Sequence, residues 1–351
     1  MIAESLFSLM PSGEPVHNYT FIDEHGQSAV VSEYGCSILE INVKDKDGKI
    51  NDVVLGYDSL DEYINDTRNF GVTVGRYANR IKNGKFTLNG VTYRLQKNDG
   101  NNTLHGGFNG FSKKLFASEV HDDYVLFTLK SPNLDEGFPG NFTLKVKVSF
   151  SNGILKMQYE YSCDHDTPAS ITNHCYFNLN GHGKGSILNH RVKINAEKYC
   201  RADGELIASA PTVSVKDTPF DFRNEHKIAD ALFSYSPEII NTGGGIDHCY
   251  EISGHDKPSA AVTGDVTGIR LEVCSDMPAL QFYTGNMIGH AKGKDGVAYN
   301  NFDGFALECQ QFPNAVNEPL FPSPIIKAGQ TAKYFIEYRF SLSHGDVTLH
   351  E

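Results

Sequence analysis

Nowhere in the 351-residue chain do roughly 18 or more apolar residues follow one another, so the sequence predicts no membrane-spanning helix. Positive charge is also scarce. Lys and Arg number 31 against 43 Asp and Glu, for a formal net charge of -12. Such a surface repels a phosphate backbone and an anionic membrane alike, which excludes nucleic acid and lipid as expected partners and leaves a neutral small molecule open. Met1 to Met10 has neither a cationic stretch nor a long apolar run, and no signal peptide is predicted. The cysteines (Cys36, Cys163, Cys175, Cys200, Cys249, Cys274 and Cys309) are scattered, odd in number and never spaced as CxxC. Reduced, mostly buried thiols in a cytoplasmic protein are the expectation. HExxH, GxSxG, P-loop and GxGxxG motifs are all missing, and the histidines lie far apart, so neither metal nor cofactor is expected. Asp45-Lys46-Asp47-Gly48 resembles a calcium loop, but its glycine comes too early and no Glu occupies the twelfth position; a hairpin turn is predicted instead.

Helical periodicity is sparse too, confined to Asp58–Ile64 and Asn224–Phe233, where short helices are predicted. The dominant period is two. Leu144, Val146, Val148 and Phe150 alternate with polar residues, Asn152-Gly153 follows, and Leu155, Met157, Tyr159 and Tyr161 resume the alternation. Asn-Gly supplies the positive φ angles that a primed hairpin turn requires, so this is a hairpin, as is Phe86–Leu88, Asn89-Gly90, Val91–Tyr93. Ile269, Leu271, Val273 and Tyr334, Ile336, Tyr338, Phe340 alternate likewise. The 33 glycines and 14 prolines cut the chain into segments too short for βαβ units. No charge run, linker or change of composition marks a boundary. The fold class expected is all-β: one large antiparallel β-sandwich domain over 1–351 with few short helices.

Six polar clusters interrupt this pattern. In Gly75-Arg76-Tyr77-Ala78-Asn79-Arg80-Ile81 the arginines could form structural ion pairs or present their rigid donor forks to a ligand. Asn98 to Gly107 is a turn-rich loop ending in His105 and two glycines, which connects or binds. His174, within Thr172–Leu179, is either a satisfied core histidine or a group at the sandwich mouth. Asp247 follows three glycines and could form a turn or bind hydroxyls. Gln281 opens a fifth cluster, ending at Asn286. Glu308 follows the apolar Phe305-Ala306-Leu307; at the inner end of a strand it would be desolvated, which raises a carboxyl pKa and suits a base.

Taken in order from Gly75 to Asn317, these clusters resemble the aldose 1-epimerase (galactose mutarotase) family. The most specific are Ala78-Asn79-Arg80-Ile81, Leu104-His105-Gly106-Gly107, Asn173-His174, and Leu307-Glu308 with Pro313-Asn314-Ala315-Val316-Asn317. The resemblance implies a galactose mutarotase-like supersandwich with an open carbohydrate cleft, no cofactor, and a free aldose as substrate. It makes Glu308 the general base and His174 the general acid. It places His105 near the ring oxygen and has Asn79, Arg80, Asp247 and Gln281 bind the sugar; Arg76 is not carried over. Activity is expected to peak broadly around neutral pH, with an acid limb from Glu308 and a basic limb if a His174 imidazolium is the donor. A hexose-6-phosphate mutarotase, a glycoside hydrolase using Asp247 and Glu308, and a non-catalytic sugar-binding protein are the alternatives. Oligomeric state is not legible.

Overall fold

A computed structural model describes residues 1–234 and 236–343. Its strands pair antiparallel in three principal sheets. A five-stranded meander runs from Ile2–Leu9 through Pro15–Ile22, Ser28–Ser32 and Ser37–Lys44 to Ile50–Asp52. A nine-stranded sheet carries Phe142–Ser151, Ile154–Cys163, Thr331–Leu342 and Ile269–Ser275 side by side at its centre. A six-stranded sheet is ordered Tyr176–Phe177, Phe305–Gln310, Ala279–Tyr283, Asp247–Glu251, Lys198–Tyr199, Val213–Ser214.

Local chemistry accounts for the hairpins. Asn152 (φ 50°) and Gly153 (φ 69°) close the turn between Phe142–Ser151 and Ile154–Cys163, and Asn89 (φ 50°) and Gly90 (φ 78°) do the same between Lys85–Leu88 and Val91–Arg94. Asp45 to Gly48 turns the chain between paired strands Ser37–Lys44 and Ile50–Asp52, with the Asp45 carboxylate accepting from the Asp47 and Lys49 amides. Helices are confined to Leu60–Ile64, Ile228–Leu232 and Pro237–Asn241 among the described residues. The first two fall inside the predicted segments but are shorter. Ser59 caps the first in a capping box with Glu62. The third was not expected from the sequence; one turn is too short to show a period, although proline at its start is a helix-initiating signal.

Alternation along each strand sends every second side chain inward. Leu144, Val146, Leu155, Met157, Leu271, Val273, Ile336 and Tyr338 from the nine-stranded sheet share one core with Leu280, Phe282, Phe305, Leu307 and Cys309 from the six-stranded sheet. Ala29, Val31, Ile38 and Ile41 of the meander join them. All seven cysteines are free and buried. Burying a Leu, Ile or Phe contributes roughly 1.5–3 kcal/mol, so this shared core presses the two sheets together and holds the outer face of the six-stranded sheet in register.

Phe282 is fully buried in that core, between Gln281 and Tyr283. Phe282→Ala is expected to cost about 3–5 kcal/mol, read as a lower urea midpoint at unchanged slope. A loss below about 1 kcal/mol would show that the two sheets are not joined through this residue.

Candidate active site

Because Leu280, Phe282, Phe305, Leu307 and Cys309 point into the core, Gln281, Tyr283, Ala306 and Glu308 point the other way. Register sets them beside each other: Gln281 opposite Glu308, Asp247 opposite Tyr283, and Tyr176 opposite Ala306. This face floors a cleft of about 230 Å³.

The facing wall comes from two short strands, Arg80–Ile81 and Thr103–Leu104, paired antiparallel. Asn79 (φ 61°) and His105 (φ 51°) flank this pair in left-handed conformations and are bonded to each other: the His105 amide donates to Asn79 O at 3.1 Å, and the Asn79 amide donates to His105 Nδ1 at 3.2 Å. Nδ1 is thus an acceptor, which assigns the imidazole proton to Nε2. Gly106, at φ 87°, lets this loop lie against the Gly75 carbonyl; a Cβ there would stand 1.9 Å from that oxygen. His174 arrives from a third direction. Its amide donates to Val72 O and its carbonyl accepts from the Gly71 amide, which sets its Nε2 3.6 Å from Glu308 Oε1. The His105 and His174 rings meet edge to face, 5.1 Å between centroids. Arg80 Nε donates to Asp99 Oδ2 at 2.7 Å.

Six of the seven residues singled out from the sequence (Asn79, Arg80, His105, His174, Asp247 and Glu308) line this cleft. Gln281 stands one step behind. Its Nε2 donates to Asp247 Oδ1 at 2.6 Å, so its contact is with the Asp247 carboxylate and not with the cleft itself. Arg76 is structural: it is buried, bonded to Pro139 O and Ser131 Oγ, and stacked 4.8 Å from the centroid of the Phe142 ring. Tyr176, Tyr283 and Arg68 also line the cleft and escaped sequence reasoning. The two tyrosines carried a signal, since each lies two residues beyond a selected one, Tyr283 on the same strand face as Gln281 and Tyr176 just past His174. Arg68, in a loop without periodicity, carried none.

Burial governs the electrostatics. Glu308 is 2% exposed, and desolvation, reinforced by the Asp247 charge and opposed by Arg80, raises its carboxyl well above the ordinary range. Desolvation lowers His174 to about 4. It also holds His105 well below its usual value, with further depression from His174 and Arg80. Glu308 Oε2 and His174 Nδ1 are buried without protein partners among the described residues. His105, His174 and Glu308 each offer a donor atom, all within 4.8 Å of one another, the spacing of a metal site. The set fits a cation poorly. Metal bound to His105 Nε2 would move the proton to Nδ1, head-on to the Asn79 amide, and the Arg80 charge opposes it.

A sandwich with a polar cleft floored by a buried carboxyl beside two imidazoles brings proton donors and acceptors together around a small space. The chain belongs to the aldose 1-epimerase family, whose model matches residues 17–339. It is 37% identical to the galactose mutarotase of Rattus norvegicus over 346 residues, covering 97% of this chain and 99% of the relative. It is 33% identical to the aldose 1-epimerase of Escherichia coli K12 over 341 residues, covering 95% and 97%. Among solved structures, an aldose epimerase homologue from C. elegans superposes with a TM-score of 0.86 at 28% identity, covering 92% of this chain and 98% of the other. A galactose 1-epimerase from Lactobacillus acidophilus superposes at 0.85 and 25% identity, covering 98% and 99%.

The buried carboxyl has a consequence for stability. Its pKa is higher folded than unfolded, so as pH rises above about 4.5 the unfolded state releases the proton first and the native state loses stability. Glu308→Gln removes that loss. The variant is expected to melt close to wild type near pH 4 and progressively higher than wild type as pH rises to neutrality. A Tm difference that stays flat or shrinks with pH contradicts a raised carboxyl.

Proposed function

We propose that this chain, acting as one domain, is an aldose 1-epimerase that interconverts the α and β anomers of free aldohexoses such as galactose and glucose. The observation that carries the reading is the opposition of Glu308 and His174 across 3.6 Å at the floor of the cleft. The reaction takes the proton from the C1 hydroxyl and gives one to the ring oxygen O5. The C1–O5 bond opens to the aldehyde, C1 turns by about half a rotation, and the ring closes on its other face with the two groups exchanging roles. One base and one acid suffice. In the reacting, ionised form of the pair the Glu308 carboxylate is the base at C1 and the His174 imidazolium the acid at O5, with His105, through Nε2–H, a donor to the sugar. Asn79, Arg80 and Asp247 hold the remaining hydroxyls while Gln281 orients Asp247. The cleft volume, below the ~300–1,000 Å³ of sites for larger ligands, suits a single sugar ring. A pure sugar-binding module gains nothing from a desolvated acid–base pair, and a glycosidase would need an acceptor face for an aglycone. Seven unpaired, buried thiols favour a reducing compartment, and we assign the protein to the cytoplasm.

Polarimetry on fresh α-galactose tests the assignment. Protein should accelerate the decay, and Glu308→Gln or His174→Asn should each cost at least about 10²-fold, with the double variant little worse because the pair acts as a unit. His105→Asn should cost less. Decay at the spontaneous rate with wild-type protein rejects the enzyme reading; a His105 variant deader than the His174 variant exchanges the two histidines.

The pH profile follows from the same burial and reverses the assignment of limbs made from the sequence. Catalysis needs one proton on the pair. Desolvation favours the uncharged arrangement, Glu308 protonated and His174 neutral, over the ionised one. The pair gains a second proton only near the His174 value of about 4 and loses its single proton only as Glu308 ionises, above the ordinary carboxylate range. In kcat/KM, corrected for the spontaneous rate, the acid limb should therefore track His174 and the basic limb Glu308. A rate that rises through pH 5–7 to an alkaline plateau would mean that Glu308 ionisation alone gates the reaction.

A further inference from the structure

The mouth of the cleft holds a cation that the mechanism does not use. Arg68 lies in the loop between Leu60–Ile64 and Thr73–Val74 and lines the cleft beside Thr67, Asn69, Met287 and Ile288. It is held at three points. Its amide donates to Asp66 Oδ1 at 2.8 Å, its carbonyl accepts from Tyr176 Oη at 3.0 Å, and its Nε donates to Ile288 O at 2.6 Å. Its Nη2 lies against Gly289, 3.8 Å from where a Cβ would be. The guanidinium is therefore preset. It has no direct acid partner: no carboxylate of the described residues comes within 4.0 Å, its side chain lying against the Tyr57 hydroxyl that donates to Asp66, whereas Arg80 is paired with Asp99 at 2.7 Å. Asp66, the nearest acid along the chain, is committed to Tyr57 Oη and to the Arg68 and Phe70 amides. On a chain of net charge -12, an anchored cation without an acid partner at the rim of a ligand cleft has an anion as its best complement.

The depth of the cleft says which part of the substrate would carry that anion. Glu308 and His174, 2% and 5% exposed, lie at the floor, and Met287 is 50% exposed at the rim. In the anomer-interconverting reading, on which this inference rests, C1 and O5 sit at the floor, so the far end of the sugar faces the rim. We propose that Arg68 is a specificity-determining residue that reads this far end, and that it extends the substrate class to aldoses bearing a carboxylate or phosphate on the carbon remote from C1. Two of its terminal nitrogens can meet two oxygens of either group at once.

Anomerisation of galactose, galacturonate and glucose 6-phosphate is measured with wild type, Arg68→Met and Arg68→Lys. For at least one anionic aldose, the ratio of its kcat/KM to that of galactose should fall about tenfold or more in Arg68→Met, chiefly through KM, and recover in part in Arg68→Lys. In wild type, raising ionic strength from about 0.1 M to about 1 M shortens the Debye length from ~10 to ~3 Å and should raise KM for that anion while leaving galactose nearly unmoved. Recovery by Lys distinguishes a charge effect from a merely structural one, and the salt series needs no variant. A ratio unchanged by Arg68→Met for both anions, or a wild-type KM for both that is insensitive to salt, overturns the inference while galactose turnover leaves the parent reading standing. Absence of turnover with all three sugars overturns both.

Discussion

Removal of water from Glu308 is the constraint on which the rest of this molecule depends. The carboxyl is buried because strand Phe305–Gln310 lies inside a six-stranded sheet whose other face is pressed onto the nine-stranded sheet by Phe305, Leu307 and Cys309. The same strand that anchors the core through its odd-numbered residues carries the Glu308 carboxyl among its even-numbered ones. Core and site are therefore two faces of one structure, and a packing fault in the first moves the second. The site is correspondingly costly, since a fold that favoured stability alone would not hold a carboxyl and an imidazole out of water and unpartnered at Oε2 and Nδ1.

Around this pair, each group has its orientation set by a backbone contact more than by a side-chain network. His105 is locked to Asn79 in both directions, His174 is tied to Val72 and Gly71, and Arg68 is held by Asp66, Tyr176 and Ile288. Main-chain bonds carry no rotameric freedom, so they fix tautomer and direction together. Asp247 and Arg80 depend instead on other side chains, Gln281 and Asp99. Walls fixed in this way suit a reaction in which one carbon has to rotate while the rest of the sugar stays in place.

Charge on the chain as a whole and charge in the cleft tell different stories. A net -12 describes the surface that other macromolecules meet. The cleft instead brings together Arg68, Arg80, Asp247 and Glu308, with Glu308 buried at the floor and Arg68 at the rim. Bulk composition averages over that arrangement and cannot reveal it.

The amino-acid sequence by itself determined the strand alternation, the Asn-Gly hairpins, the all-β class and, through the resemblance carried by its polar clusters, six cleft residues and their family. These are properties of spacing: a period of two assigns faces, and a turn needs particular residues at particular positions. Tertiary structure alone decided what spacing does not contain. Arg76 and Arg80 sit four residues apart in one motif, yet one is packed under Phe142 and the other opens into the cleft, because the chain turns between them. Gln281 was drawn behind Asp247 by strand register, and Arg68 came to the rim from a loop with no pattern of its own. The opposite shifts of Glu308 and His174 were likewise undetermined until both were seen buried, because desolvation depends on what surrounds a group in space and not on its neighbours in the chain.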